Sequence, residues 1–557
     1  MQINSGENLT GLQRIRASEN SARTVVSLGL MLLFVWIVQP TTARPVFGHP
    51  NILIILADDL GYGDVRCFNP ERGKIPTANL DRLASEGMRF TDAHSSASVC
   101  TPSRYTLLTG RYHWRTRLQG IIKVFGAPII PKERLTIGSL ARQSGYRTAC
   151  IGKWHLGWIW PIRDGQRERV LAVPKNQKGR AGTPVAPPEQ QALWHDVFSQ
   201  PITGGPVAVG FDYYFGTDVP NWPPFCFIEN EHTVGIPTAF LPPAKAVNPF
   251  ANIQGPALAD WKLEEILPSI ANRSIDFIRD CAQVGKPFLL YLALTAPHTP
   301  IVPNPPWQGK SGLGAYGDFV METDAVVGQV LEALQKNGVA DNTLVIFSSD
   351  NGCVSYLGRM LPDLEEKGHY PSGPYRGHKG DAWEGGHRMP TIVRWPGIVR
   401  AGSVCKQLVH QADIMATLAD IMEVRLPTNA GEDSFSLMPL LRNPAAVVRT
   451  NAISCAADGV QAVRFGEWKL IVGSGNGIWS KGDRTDHSIK LFNLDNDPGE
   501  TQNLAGEQPA RVAAMQALRE KLISDGRSNP GPPQENDGEV PRFPPSSSPK
   551  GRSALEY

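Results

Sequence analysis

The chain has 557 residues, of which 41% are hydrophobic and 19% are charged, and its formal net charge is +2 at pH 7. This length suffices for a large globular domain followed by a smaller one. A charge so close to zero gives no reason to expect nucleic acid or an anionic membrane surface as a partner, so those two classes of binding protein are disfavoured.

An N-terminal export signal is predicted for residues 1–43. Residues 24–38 form an apolar run that is short for a membrane span, with three arginines before it and Thr41-Thr42-Ala43 after it. Cleavage after Ala43 gives a secreted or periplasmic protein without a stable membrane span, and a retained anchor is the alternative. The segment carries three Arg and two Glu, so its loss lowers the formal charge from +2 to +1.

The eight cysteines are scattered along the chain and do not form the dense framework of a small secreted scaffold. They allow one or two disulfides and require none. No Cys-x-x-Cys pair and no His/Cys cluster with zinc spacing occurs in the sequence, so a thiolate metal site is not expected.

Short apolar runs alternate with helical patterns, which predicts an α/β domain with a large, mixed, mainly parallel sheet between helices. Because sites in open α/β sheets lie outside the carboxyl ends of the strands, polar residues that follow such runs are expected to converge. Four runs end in this way: 51–57 before Asp58 and Asp59, 146–151 before Lys153 and His155, 287–294 before His298, and 343–347 before Asp350 and Asn351.

Two acidic pairs among these residues predict a metal site. Asp58, Asp59, Asp350 and Asn351 offer only oxygen ligands. Hard oxygen donors favour calcium or magnesium over zinc or copper, and a flexible site of high coordination number favours calcium. A solvated loop or helix cap is the alternative for one Asp-Asp pair, but two acidic pairs after two strands favour the metal.

The segment Val99–Gly110 places Cys100, Pro102 and Arg104 in the first turns of a predicted helix. Pro102 suits the first turn, Cys100 lies near unpaired backbone amides that favour an anion, and Arg104 falls one turn later on the same face. A buried structural cysteine is the alternative. The Cys-x-Pro-x-Arg core, followed by Leu-Leu-Thr-Gly, resembles the signature of the type I, formylglycine-dependent sulfatases.

This resemblance implies that a formylglycine-generating enzyme oxidises Cys100 to formylglycine (3-oxoalanine), whose hydrate is the nucleophile. One hydroxyl attacks sulfur, and deprotonation of the other releases sulfate, so one difficult hydrolysis becomes two easier steps. The resemblance also implies an alkaline-phosphatase-like fold and one Ca²⁺ per chain. Its ligands are Asp58, Asp59, the formylglycine at Cys100, Asp350 and Asn351.

Further segments resemble sulfatase motifs: Ile151–Gly157, Ala296–Pro300 and Arg376–Pro390. They imply that Lys153 and Lys379, together with Arg104, balance the charge of the sulfate oxygens. For each lysine taken alone, the alternative is an exposed side chain. For each histidine of these motifs taken alone, the alternative is an ordinary hydrogen-bonded side chain.

The histidines of these motifs receive different expected roles. His298 is the expected general acid for the leaving alcohol, and His155 is the expected base in the release step, since histidine titrates near neutral pH. His378 and His387 flank the last motif, and we expect them to be structural or to lie outside the reacting centre.

The chain divides into a catalytic domain at 44–445, a smaller C-terminal α+β domain at 446–527 and a tail at 528–557. A hairpin at 461–472 and helical periodicity at 509–525 predict a short antiparallel sheet with one helix in the smaller domain. The tail is rich in Pro, Gly and Ser, which predicts disorder. The sulfatase resemblance extends from about residue 50 to about residue 505.

Substrate choice is signalled more weakly. Trp158, Trp160 and the segment 217–230 contain aromatic residues that suit either sugar binding or core packing. The stretch resembles bacterial relatives of arylsulfatase A and N-acetylgalactosamine-6-sulfatase, which implies a sulfated glycan or small sulfate ester as substrate.

Two alternatives remain. One is a phosphodiesterase or phosphonate monoester hydrolase of the same superfamily, which would share the metal pairs. The other is a non-catalytic protein that binds sulfated glycans on a sulfatase scaffold. Such a binding protein is expected to lack catalytic positions, yet the chain retains Cys100, Arg104, Lys153, His155, His298 and Lys379.

Overall fold

The computed structural model describes residues 49–118, 120–173, 185–241, 253–480, 486 and 488–540. The predicted export signal at 1–43 lies outside these ranges. Within them, no helix is both long and apolar enough to cross a membrane.

Strands and helices alternate along the described chain. The strands are β1 (Asn51–Asp58), β2 (Met88–Phe90), β3 (Ala93–His94), β4 (Arg147–Lys153), β5 (Tyr213–Thr217), β6 (Phe227–Glu229), β7 (His232–Val234), β8 (Ala239–Leu241), β9 (Gly255–Ala257), β10 (Phe288–Pro297), β11 (Thr343–Ser349), β12 (Thr391–Arg394), β13 (Ser403–Cys405), β14 (Val409–His410), β15 (Asn451–Cys455), β16 (Gln461–Phe465), β17 (Trp468–Val472) and β18 (Ile489–Asn493). The helices are α1 (Ala78–Glu86), α2 (Cys100–Thr109), α3 (Ile137–Gln143), α4 (Arg167–Leu171), α5 (Pro188–Phe198), α6 (Ile266–Val284), α7 (Gly314–Lys336), α8 (Met360–Glu366), α9 (Glu384–His387), α10 (Asp413–Ile421), α11 (Met438–Arg442) and α12 (Pro509–Ser524).

A ten-stranded sheet forms the centre of the molecule, in the order β13-β2-β12-β11-β1-β10-β4-β5-β6-β7. Strands β11, β1, β10, β4 and β5 run parallel to one another, whereas β12 and β6 run antiparallel to the strands beside them. The predicted mixed, mainly parallel sheet is therefore confirmed.

Both faces of this sheet are covered, which explains why β1 is an unbroken apolar run. Ile52, Ile54 and Leu56 join the core cluster that includes residues of α2, α3 and α10. The alternate residues Leu53 and Ile55 join the core on the opposite face, with residues of α6 and α7. Helices thus cover both faces of the sheet.

The four strands that the sequence marked as site-bearing lie side by side as β11-β1-β10-β4. In their register, Ile55 of β1 pairs with Leu292 of β10 and with Phe347 of β11. Their carboxyl ends therefore meet at one edge, as expected for parallel strands of one sheet.

The C-terminal part contains the antiparallel sheet β15-β16-β17-β18 and helix α12. The predicted hairpin is β16-β17, with Phe465 opposite Trp468 across the turn. Residues of this sheet and of α12 share a core cluster with Tyr112 and Trp114, which follow α2 in the chain. The smaller sheet is thus buried against the segment that follows the Cys100 helix.

Residues 528–540 differ from the predicted disordered tail, because they are bonded to the preceding structure. The backbone amide of Ser528 donates to the carbonyl of Glu432 at 2.9 Å, and the Asn529 side-chain amide donates to Gly431 O at 2.8 Å. Asp537 accepts from Arg111 at 2.9 Å. These specific polar contacts fix a segment whose composition alone predicts disorder, while residues 541–557 lie outside the described ranges.

Candidate active site

The carboxyl ends of β1, β4, β10 and β11 converge with the start of α2 and with the loop that carries Lys379. All ten residues predicted for the site are buried there. They are Asp58, Asp59, Cys100, Arg104, Lys153, His155, His298, Asp350, Asn351 and Lys379. The structure thus brings every predicted position together, and their individual roles stay predictions.

Each carboxylate of this cluster contacts a cation. The six groups are fully or almost fully buried, so the pairing offsets the cost of burying each charge. Three carboxylates and three cations leave the cluster with no net charge. The pairs are Lys153 Nζ with Asp58 Oδ2 (2.8 Å), Arg104 Nη2 with Asp350 Oδ2 (2.8 Å) and Lys379 Nζ with Asp59 Oδ2 (2.8 Å).

The two acidic pairs are also linked to each other. The Asp59 amide donates to Asp350 Oδ1 at 3.1 Å, and Asn351 Nδ2 donates to Asp59 Oδ1 at 2.7 Å. Asn351 Oδ1 is buried and has no hydrogen-bond partner. Because an unpartnered buried oxygen is costly, this atom beside three carboxylates suits a bound cation. The donor set consists of hard oxygens and therefore fits Ca²⁺.

Cys100 is the first residue of α2, preceded by Val99 in an extended conformation. Burial raises the pKa of the Cys100 thiol, although Lys153 and Lys379 act in the opposite sense. A buried neutral thiol is a weak nucleophile, since only the thiolate reacts. Cys100 as cysteine is thus poorly suited to attack, despite its position beside the three cations.

His298 follows β10 and lies beside Asp59, with Nε2 3.6 Å from Asp59 Oδ2. Its Nδ1 contacts the carbonyl oxygen of Thr299 at 2.6 Å, which requires a proton on Nδ1. Burial and the charge of Lys153 lower the pKa of His298, while Asp59 raises it. The Thr299 contact fixes the tautomer and leaves Nε2 for exchange of a proton.

His155 lies beyond the end of β4, at a positive φ of 56°. Lys153 is the last residue of β4, so Lys153 and His155 do not share one strand face. The strand ends because the His155 amide turns to donate to Asp218 Oδ1 at 3.2 Å. Both ring nitrogens of His155 are buried without a partner, and burial together with Lys153 lowers its pKa.

Asp218 is a positioning residue that no sequence motif marked. Its Oδ1 accepts from the His155 amide and from Trp158 Nε1, each at 3.2 Å. Burial raises the pKa of Asp218 to about 6, although both hydrogen bonds act to lower it. The residue lies within the segment 217–230, but its partners become visible only in the fold.

The aromatic residues that suit either sugar binding or core packing differ in their burial. Trp158 and Trp160 are buried in the main core cluster, so the core alternative is correct for both. Trp222 is half-buried, and its ring lies edge-on to that of His155, with the centroids 5.1 Å apart.

A second histidine cluster lies outside this site. His94, Glu384 and His387 are close enough to share a metal ion. However, Glu384 already contacts Lys469 at 3.0 Å and Arg388 at 2.9 Å, so cations of the chain neutralise it. We therefore interpret His387 as part of a structural charge network.

His378 also has a local partner. Its Nδ1 contacts the hydroxyl of Ser372 at 3.0 Å. This contact agrees with the structural role expected for His378.

Comparison with known proteins identifies the family. The family model described as Sulfatase matches residues 50–424. The chain belongs to the sulfatase family. It is 32% identical over 511 residues to an N-acetylgalactosamine-6-O-sulfatase of Bacteroides thetaiotaomicron, covering 85% of this chain and 93% of the relative. It is 32% identical over 531 residues to arylsulfatase A of Homo sapiens, covering 90% of this chain and 92% of the relative.

A solved structure agrees with this assignment. It comes from work on the metabolism of multiple glycosaminoglycans by Bacteroides thetaiotaomicron, with a TM-score of 0.71 and 31% identity. The match covers 85% of this sulfatase and 99% of the solved chain. The protein is therefore an enzyme that hydrolyses sulfate esters, and its fold is the alkaline-phosphatase-like fold expected from the sequence.

Proposed function

We propose that this sulfatase removes sulfate from a sulfated carbohydrate, with Cys100 converted to formylglycine and one Ca²⁺ bound nearby. The observation that carries the proposal is the buried, charge-balanced cluster beside Cys100. The carbohydrate is inferred from the relative whose name specifies N-acetylgalactosamine 6-O-sulfate chemistry. The six catalytic positions are all present, which disfavours a non-catalytic binding protein.

Asp58, Asp59, Asp350 and Asn351, together with residue 100, would bind the calcium ion. When bound, calcium supplies positive charge that stabilises the negative charge developing on the reacting oxygens. The unpartnered Asn351 Oδ1 supports this assignment.

Formylglycine at position 100 would supply a hydrated aldehyde, whose two hydroxyls on one carbon allow both attack and release. Its formation requires a formylglycine-generating enzyme as a partner during maturation. The conversion would replace a thiol that is a weak nucleophile at this position, since burial raises its pKa.

Arg104, Lys153 and Lys379 are the cations that bind the sulfate group. Their positions are fixed before substrate arrives, since each is buried and paired with a carboxylate. Fixed charges in a site without bulk water stabilise a transition state effectively, because they need no reorganisation.

Two histidines move protons in this proposal. His298 acts in its imidazolium form, with a proton on each ring nitrogen: it donates the Nε2 proton to the leaving alcohol, while Nδ1–H stays bonded to Thr299 O. His155 has two unpartnered ring nitrogens and accepts the proton in the release step. The export signal predicted at 1–43 supports a location of this chemistry outside the cytoplasm.

The test uses the full chain produced with a formylglycine-generating enzyme. Peptide mass spectrometry is expected to find formylglycine at position 100, and the protein is expected to hydrolyse a 6-sulfated N-acetylgalactosamine. Cys100→Ala should abolish turnover. Full activity with an unmodified Cys100 thiol would overturn the mechanism, and faster hydrolysis of aryl phosphates than aryl sulfates would favour the phosphoesterase alternative.

The calcium assignment has its own readout. Chelation should lower the thermal unfolding midpoint as well as activity, and added Ca²⁺ should restore both. Asp350→Ala should lose the calcium-dependent shift in the midpoint. Restoration by Zn²⁺ and not by Ca²⁺ would contradict the oxygen-ligand assignment.

A further inference from the structure

Two aromatic rings border the site beside Lys379. The ring centroids of Tyr356 and Trp479 are 5.2 Å apart, and Lys379 Nζ lies 6.0 Å and 5.7 Å from them. Both aromatic residues are half-buried, whereas Trp154 and Trp158 are buried. Because Lys379 also contacts Asp59, the partly exposed pair adjoins the reacting centre.

The pair lies on the side of the site that the leaving group occupies in the proposed function. The Tyr356 hydroxyl is hydrogen bonded to the side chain of Thr299. Thr299 follows His298, the proposed acid for the leaving alcohol, and its carbonyl oxygen contacts His298 Nδ1. His298 Nε2, the proposed proton donor, lies 3.6 Å from Asp59 Oδ2, which contacts Lys379 Nζ. Because Lys379 Nζ is 6.0 Å from the Tyr356 ring, a group that accepts this proton is close to Tyr356.

Trp479 is fixed in this position by the loop 473–480 of the C-terminal part. Gly477 N donates to Asp381 Oδ1 at 2.8 Å, and Ser480 Oγ donates to Asp381 Oδ2 at 2.7 Å. A Cβ atom added at Gly380 would lie 2.7 Å from the Trp479 ring, which therefore lies directly against the backbone after Lys379. An aromatic ring that is fixed in advance loses little entropy on binding.

We propose that Tyr356 and Trp479 form the surface on which the sugar ring of the leaving group packs, so that Trp479 determines substrate specificity. This inference rests on the proposed function. Sugars present apolar C–H faces and hydroxyls together, which matches two aromatic rings bordered by the Lys379 ammonium and the Thr299 hydroxyl. A sterol would need a larger apolar surface without these polar edges.

The test measures inhibition of nitrophenyl sulfate turnover by two probes, N-acetylgalactosamine and inorganic sulfate, on the full chain. Trp479→Ala is expected to weaken inhibition by the sugar about tenfold and to leave inhibition by sulfate within about twofold. Trp479→Phe should weaken inhibition by the sugar less than Trp479→Ala does. Phe465→Ala is the matched control, since Phe465 is an aromatic residue of β16 in the same C-terminal part and is 45% exposed.

Three outcomes would overturn the inference. Equal weakening of both probes would mean that Trp479 acts by positioning Lys379, and unchanged inhibition by both would mean that Trp479 does not contact the sugar. Estrone, a steroid, is added as a third probe: weakened inhibition by estrone, with unchanged inhibition by the sugar, would assign the surface to a steroid. Turnover of sulfated sugars by the unsubstituted enzyme is measured separately, so a failed proposed function is distinguished from a failed role of Trp479.

Discussion

At the scale of residues, the balance of charge around Cys100 explains what the site can bind. Three buried carboxylates and three buried cations leave no net charge. A divalent cation then adds two positive charges, which suit a sulfate ester anion and a second negative charge on the nucleophile. The cluster is therefore complementary to a metal and an anionic ester together.

The two histidines can be separated by leaving-group chemistry. His298→Ala should lose far more rate on a sugar sulfate than on nitrophenyl sulfate, because a poor leaving group needs a proton donor. His155→Ala should slow release of sulfate from the enzyme, so sulfated formylglycine should accumulate whatever alcohol has left, since His155 acts after the ester bond has broken. Steady-state rates on leaving groups of different pKa check the first expectation, and intact-mass measurement during turnover checks the second. Equal losses for His298→Ala on all substrates would contradict its role as the acid.

Asp218 makes stability depend on pH. Burial raises the pKa of Asp218 from 3.8 to about 6, so between these values the folded protein retains a proton that the unfolded chain has released. The free energy of unfolding therefore falls as pH rises through this window, by up to about 3 kcal/mol, and is level above it.

Asp218→Asn should remove this slope, because an amide does not titrate in this range, and its Oδ1 can still accept from the His155 amide and from Trp158. Urea unfolding of both proteins at about pH 4 and about pH 7 measures the difference. We expect the variant to gain stability relative to the unsubstituted protein at the higher pH. Parallel pH profiles for the two proteins would show that Asp218 does not carry the effect.

Site residues that belong to contiguous sequence motifs were predictable, whereas site residues outside such motifs were not. Cys100 and Arg104 share one helical segment, and Asp350 and Asn351 follow one apolar run, so local spacing marked them. Asp218 and Trp479 lie in segments without such spacing. Their roles depend on which backbone lies beside them, and only the tertiary fold determines that.

At the scale of elements, the sequence predicted the strands better than the turns that follow them. The apolar run 343–347 became β11, Thr343–Ser349, which is two residues longer. The sequence did not predict the turn after β4, because His155 adopts a positive φ and no glycine or proline stands at that position to indicate a turn. Elements defined by apolar periodicity were thus predictable, whereas the turn with a positive φ near the site was not.

The loop that carries Lys379 and the loop 473–480 depend on Asp381. Its carboxylate accepts from His378 N at 2.9 Å as well as from Gly477 N and Ser480 Oγ. Asp381→Ala leaves these donors without their acceptor, which lowers the free energy of unfolding by about 1 to 3 kcal/mol for each donor that stays buried. We therefore expect a lower unfolding midpoint and weaker inhibition by inorganic sulfate, because Lys379 is two residues away.

Ser480→Ala is the matched control for this prediction, since it removes one of the three hydrogen bonds and keeps the carboxylate. It should shift the unfolding midpoint less and should leave inhibition by sulfate nearly unchanged. Thermal unfolding and inhibition constants for the two variants supply the comparison. A Ser480→Ala protein as impaired as Asp381→Ala would show that the carboxylate is not the organising group.

At the scale of the whole molecule, buried arginines join distant segments. Arg115 donates to Asp433 at 2.8 Å and to Leu522 O at 2.9 Å, and Arg111 donates to Asp537 at 2.9 Å. These contacts connect the segment after α2 with α12 and with residues 528–540. Composition predicted disorder for that last segment because Pro, Gly and Ser are frequent in it, but composition contains no information about a partner arginine.

Deletion of 528–557 tests whether this segment stabilises the catalytic part. It removes the Asp537 partner of Arg111, the Asn536 amide bond to Ile523 O and the Ser528 bond to Asp433. Each lost partner leaves a polar group buried or newly exposed, so the unfolding midpoint should fall by several degrees. Deletion of 541–557 alone keeps all of these contacts and should therefore lower the midpoint less than deletion of 528–557. Both proteins should retain turnover at low temperature, because no residue of the reacting centre is removed. If the two deletions gave the same midpoint, the contacts of 528–540 would not contribute to stability.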